Sequence, residues 1–182
     1  MPLLLGTVAS SYLQATSSYE SIATATGGSG FFEFTNIPQT YAHLQIRGIA
    51  NNGESSGWNN QQLRINSDAG STYAFHIMYA SAGTASAANY SSTTSVNDVF
   101  RVPPTSSSSY SGFTIDIVDY SKTNKFKVLR CLNGGANNSN GWIQLTSGLW
   151  RSNDAVTSIR INSSVGNFGS NSSCALYGIK AA

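Results

Sequence analysis

Nucleophilic catalysis needs a serine or cysteine beside a base, and the histidines that could serve in this 182-residue chain are His43 and His76. Both fall inside alternating apolar/polar runs that read as strands, AHLQIRGIA and TYAFHIMYA, and no GxSxG elbow accompanies either. Glycoside hydrolysis needs paired carboxylates across one bond. The nearest pair, Asp116 and Asp119, is offset by three, which on a strand sends the two side chains to opposite faces. The SDAG segment at Asp68 has one carboxylate and no downstream glutamate, so it lacks most of a calcium loop and reads as a turn. Cys131 and Cys174 have apolar neighbours and no CxxC spacing; they read as buried free thiols in preference to a disulfide, and zinc is not indicated. The chain is therefore expected to have no catalytic residues, no metal site and no cofactor.

Two further groups can make contacts without doing chemistry. Lys122, Lys125, Lys127 and Arg130 form the densest charge, which reads as a solvated strand edge that discourages unwanted pairing. Trp58 lies near the far end of the polar loop NNGESSGWNNQ, where an exposed aromatic could stack on a sugar ring or pack on a protein neighbour. Trp142 and Trp150 flank one strand and are expected to be partly buried.

The elements that position these residues are strands. In FTIDIVDYSKTNKFKVLR, Phe113, Ile115 and Ile117 alternate with Thr114, Asp116 and Val118, the period of two expected of a sheet with one buried face. GWIQLTSGLW, VTSIRIN and CALYGIK follow, separated by polar, glycine-containing spacers. Upstream, YESIATAT reads as an edge strand and FFEFT as a short strand ended by Pro38. Residues 81–95, rich in Ser, Ala and Thr, read as a loop or an irregular edge strand. About ten strands, no helix, and turn signals every 8–12 residues or so predict an all-β, jelly-roll-like β-sandwich. An immunoglobulin-like sandwich has the same spacings. The expected organisation is an N-terminal arm over residues 1–18 and one sandwich domain over residues 19–182.

Composition limits the partners. Charged residues are 10% of the chain, against roughly 25% in an average soluble protein, and Ser, Thr, Asn and Gly make up about two-fifths. A net charge of +2 gives no field that argues for nucleic acid or an anionic membrane, so neither is an expected partner. No run approaches the roughly 18 apolar residues of a membrane span. MPLLLGTVASS has no basic start and an apolar run of only Leu3, Leu4 and Leu5, so no signal peptide is expected.

The segments SYESIATATGGSG, FTNIPQTYAHLQIRGIA, FTIDIVDYSKTNKFKVLRCLNG, IQLTSGLWRSNDAVTSIRI and CALYGIK, taken as an ordered series from about Ser18 to Lys180, resemble a group of small all-β virion proteins of tailed bacteriophages. The resemblance implies a jelly-roll-like domain that forms a homotrimer. It implies a cement (decoration) protein that binds the major capsid protein on the outside of the head, or a tail-associated module, and no enzymatic activity. Such a protein is made in the host cytoplasm and ends on the capsid surface. The alternative is a tail or fibre module binding host-surface glycans through loop aromatics such as Trp58. As a cement protein, the chain could lay Leu3, Leu4, Leu5, Tyr12 and Leu13 of its arm on the capsid or a neighbouring subunit. Alternatively, these residues complete the chain's own sandwich.

Overall fold

The computed structural model describes residues 18–53, 57–137 and 140–181. Leu3, Leu4, Leu5, Tyr12 and Leu13 lie outside the described residues, as does the arm apart from Ser18.

Among the described residues there are twelve strands. In chain order they are β1 (Tyr19–Thr26), β2 (Phe31–Phe34), β3 (His43–Ala50), β4 (Asn59–Ile65), β5 (Tyr73–Ser81) and β6 (Thr84–Thr93). Then come β7 (Arg101–Val102), β8 (Ser111–Val118), β9 (Lys127–Ala136), β10 (Gly141–Trp150), β11 (Ile159–Ser163) and β12 (Ser173–Ile179). They form an eight-stranded sheet, β1-β12-β3-β8-β9-β10-β5-β6, and a four-stranded sheet, β2-β11-β4-β7. All named strand pairs are antiparallel.

The pairing is nested. β1 pairs with β12, β2 with β11, β3 with β8 and β4 with β7, so a long folded-back ribbon is wrapped into two facing sheets. The result is the jelly-roll-like sandwich expected, a topology that strand spacing alone does not separate from an immunoglobulin-like one. Two hairpins are inserted in it, β5–β6 between β4 and β7, and β9–β10 between β8 and β11. Both join the free side of β8, which extends the larger sheet well beyond the smaller one.

The core lies between the sheets and is built by the predicted alternation. Phe113, Ile115 and Ile117 of β8, Leu44 and Ile46 of β3 and Leu176 of β12 face Phe32 and Phe34 of β2, Leu63 and Ile65 of β4, and Ile159 and Ile161 of β11, all buried. Aromatic pairs fasten loops to this core: Phe32 stacks on Phe168 at 4.1 Å, and Phe100 on Phe113 at 4.0 Å. Under the extension the second sheet is replaced by the segment leading to β7, whose Val96, Val99 and Phe100 are buried. Val96 and Leu63 exchange both backbone hydrogen bonds at 3.0 Å, tying that segment to β4.

Two elements with weak sequence signals are resolved by their partners. Residues 84–93 form the irregular edge strand, one of the two expected readings: β5 supplies the hydrogen-bonding partner, and the register slips at Ser92, which has a positive φ of 55°. VNDVFRV, which reads as a strand, is one only over Arg101–Val102: Val96 makes an isolated bridge to Leu63 and the chain turns before β7.

Candidate interaction surface

The groups that could do chemistry are absorbed into structural roles. His43 accepts the backbone N–H of Asp119 on Nδ1 at 3.0 Å, while His76 stands exposed opposite Ser147 and Asn89. Asp119 pairs with Lys125 at 2.7 Å, and that bond holds its carboxyl below the usual carboxylate range. Asp116 is apart from it, accepting a 2.6 Å bond from Gln45. Asp68 accepts from the Trp150 indole, the Thr72 hydroxyl and the Gly70 N–H, each at 2.7 Å; the indole bond is the main cause of its lowered pKa. Cys131 and Cys174 are free and buried, and burial pushes Cys174 up to about 12 and Cys131 higher still, so both are held as unreactive thiols. Among the described residues no group of three or more His, Cys, Asp or Glu could hold a metal ion.

The basic run does not form one surface. Lys127 points inward and is buried, its ammonium donating to the carbonyls of Lys125 at 2.8 Å and Asn153 at 3.2 Å, and burial lowers its pKa. Lys125 is held by Asp119.

Trp58 is not the exposed loop aromatic that its polar neighbours predicted. It is half-buried and stacks on Trp142, with ring centroids 6.4 Å apart. Trp142 in turn stacks on Tyr79 at 4.7 Å, and the Arg101 guanidinium lies 4.2 Å from the Trp142 ring centre. Asp98 grips Arg101 through two nitrogens, at 3.1 and 2.7 Å. Gln144 accepts from the Trp142 indole at 2.9 Å and donates to the Asp98 carbonyl at 2.7 Å, while Thr146 donates to the same carbonyl at 3.2 Å. Trp142 is thus tied into a polar network with Gln144, Thr146, Asp98 and Arg101 that fixes the inner face of β10, while the buried indole N–H of Trp58 has no hydrogen-bond partner among the described residues. Trp58 gives part of its ring surface to a protein contact and stays half-buried.

That network inverts β10. Its polar residues Gln144 and Thr146 face inward and are buried, so Ile143 and Leu145 face solvent. β9 does the same, burying Lys127 and Asn133 and exposing Val128 and Leu132. On the outer face of the extension Met78 is 63% exposed, Leu132 58%, Ile143 57% and Leu145 48%, and Ile49 on β3 is 48% exposed. The registers place these side by side. Thr114, Leu132, Leu145 and Met78 stand in one row across four strands; Ile49, Gly112, Gly134, Ile143 and Ala80 stand in the next. The result is a contiguous aliphatic patch on the outer face of the larger sheet, and exposed patches of this kind are a feature of interaction sites.

Sequence reasoning centred on Trp58 and the arm and passed over this face. The signal was present in GWIQLTSGLW and KVLRCLNG, where apolar residues occupy both phases of the strand and no choice of inward phase buries them all. Compared with protein-family models, with curated proteins and with solved structures, the chain gives no match.

Proposed function

We propose that the chain is a structural protein of a tailed-phage virion: a homotrimeric cement protein that binds the outside of the capsid and stabilises it without transforming any substrate. The observation that carries this reading is the aliphatic outer face of β9, β10 and β5, built by turning polar residues inward at Lys127, Asn133, Gln144 and Thr146. A fold that buries amides and an ammonium in order to present leucines to water is shaped for adhesion. The ordered resemblance to small all-β virion proteins supplies the setting, and the jelly-roll wrap is compatible with it. Stabilisation would be multivalent: each trimer touches several coat subunits, so modest affinities combine across the head.

The test is stoichiometry and restoration. Purified particles should carry on the order of hundreds of copies of this chain, as repeated head sites require. Heads stripped of it should rupture at lower temperature and recover when the purified protein is added back. A count of a few tens, with heads indifferent to its removal, would place the chain elsewhere and defeat the proposal.

A further inference from the structure

The edges of the two sheets are not equally protected. A bare edge invites another strand, and proteins guard it with charge, bulges or brevity. β1 carries Glu20, paired with Lys180 at 3.1 Å, and its register breaks between Ser21 and Ala23. β2 has four residues and β7 two. β6 has ten, exposed along most of its length, and over residues 81–97 the sequence has no Lys, Arg, Asp, Glu or Pro. Its register slips at Ser92, so residues 84–91 form an unbroken edge.

The hairpin fixes which backbone groups face outward. Ala82 and Gly83 both have positive φ, 48° and 82°, as a two-residue turn of type I′ requires. Ser81 and Thr84, which flank it, therefore exchange both hydrogen bonds, and so does every second pair beyond them: Tyr79 with Ser86, Ile77 with Ala88, Phe75 with Tyr90. The N–H and C=O groups of Ala85, Ala87, Asn89 and Ser91 point the other way, off the end of the sheet.

We propose that β6 is a two-fold contact between copies of the chain, an antiparallel β6–β6 pair centred on Ala88 that joins two larger sheets edge to edge. Self-complementarity identifies the occupant. In that register Ala85 meets Ser91 of the second copy and Ala87 meets Asn89, so all four outward residues find partners, with about eight hydrogen bonds between them. The side chains that meet are small and uncharged. On the inner side Tyr90, 45% exposed, gains Ser86 of the second copy as its opposite neighbour. A two-fold pair also uses up both bare edges, so assembly stops at two. The strip is narrow: eight residues at about 3.4 Å each, in a layer about 10 Å thick, give about 270 Å2. A stable interface takes about 800 Å2 from each partner, so this contact is weak and reversible, with a dissociation constant on the order of 100 µM. It does not rest on the virion reading; on a head it would join neighbouring trimers.

Sedimentation equilibrium of the full chain from about 1 µM to about 1 mM tests it. The mass should double across that range, from one chain to two or, where the proposed homotrimer forms, from three to six. The starting mass judges the trimer and the doubling judges the edge. Ala87→Pro deletes an outward N–H and leaves the ladder to β5 intact, while Asn89→Lys sets two ammonium groups diagonally across the axis. Each should melt close to the native chain and raise the dissociation constant about tenfold or more. Mild oxidation reads the register. Ala88→Cys should cross-link two copies, because facing Cα atoms in such a pair lie about 4.5 Å apart, within reach of a disulfide. Ala85→Cys, which faces position 91, should not. Cys131 and Cys174 are buried and add no background.

A mass constant across the range overturns the proposal, and if Asn89→Lys then no longer coats heads the edge belongs to the capsid protein. Doubling that both variants leave unchanged overturns it, as does a cross-link as fast at Ala85→Cys as at Ala88→Cys. Slow hydrogen exchange of the Ala87 and Asn89 amides in the dilute chain assigns the edge to residues 1–17 and overturns it too.

Discussion

Asp68 shows how a residue that attracts a functional reading is used up by structure. Its carboxylate closes the turn through Gly70 and Thr72 and also receives the indole N–H of Trp150, which is buried. Replacing it by alanine would leave that indole donor unsatisfied, and Asp68→Ala is expected to cost about 1–3 kcal/mol in urea denaturation. The pH dependence follows from the lowered pKa. The native value lies below the unfolded value of about 3.9, so the stabilisation is fully present above that pH and is lost as pH falls through the native value. The gap between native and Asp68→Ala urea midpoints should therefore be widest near neutrality and shrink below about pH 4; a gap independent of pH would show that the charge plays no part. The turn itself was legible in SDAG. Its partner Trp150 was not, because a contact spanning 82 positions leaves no mark in local spacing.

At the scale of elements, legibility depended on whether a strand has one apolar phase. β8 was read correctly because Phe113, Ile115 and Ile117 share a phase and the intervening residues are largely polar. β10 offers Trp142, Gly148 and Trp150 in one phase and Ile143, Leu145 and Leu149 in the other, and what decides between them is Asp98, a residue from a distant segment. A simple hydrophobic pattern would favour leucine at position 144, which faces the interior. The network predicts the reverse. Gln144→Leu strands the Trp142 indole and withdraws a donor from the Asp98 carbonyl, both in buried surroundings, and should destabilise by about 1–3 kcal/mol in chemical denaturation. A stabilised Gln144→Leu would mean that the inversion of β10 is not enforced from below. β6 was legible only as a loop or an irregular edge strand, for a different reason. It pairs on one side only and is exposed along most of its length, so nothing selects a pattern in its Ala/Ser sequence.

For the whole molecule the governing fact is the nested wrap, in which the outermost pair joins Tyr19 to Ile179 and each inner pair closes a shorter span. Closing a long loop costs entropy before its contacts repay it, so folding should be slow for the chain's size, on the millisecond-to-second scale or beyond. The order of events follows from the same cost. β8, β9 and β10 are consecutive in sequence and adjacent in the sheet, and can form as a meander without waiting for the termini. β12 must then find its place between β1 and β3, and is expected to dock last. Leu129 on β9 and Leu176 on β12 are both buried, so alanine at either should cost about 2–5 kcal/mol at equilibrium. The kinetics should separate them. Leu129→Ala should slow refolding, whereas Leu176→Ala should leave refolding nearly unchanged and accelerate unfolding. Interactions that form after the transition state are the ones that hold the unfolding barrier high. Stopped-flow fluorescence through the buried tryptophans distinguishes the two limbs, and a Leu176→Ala variant that slows refolding as much as Leu129→Ala would show that the wrap closes early, with the termini part of the nucleus.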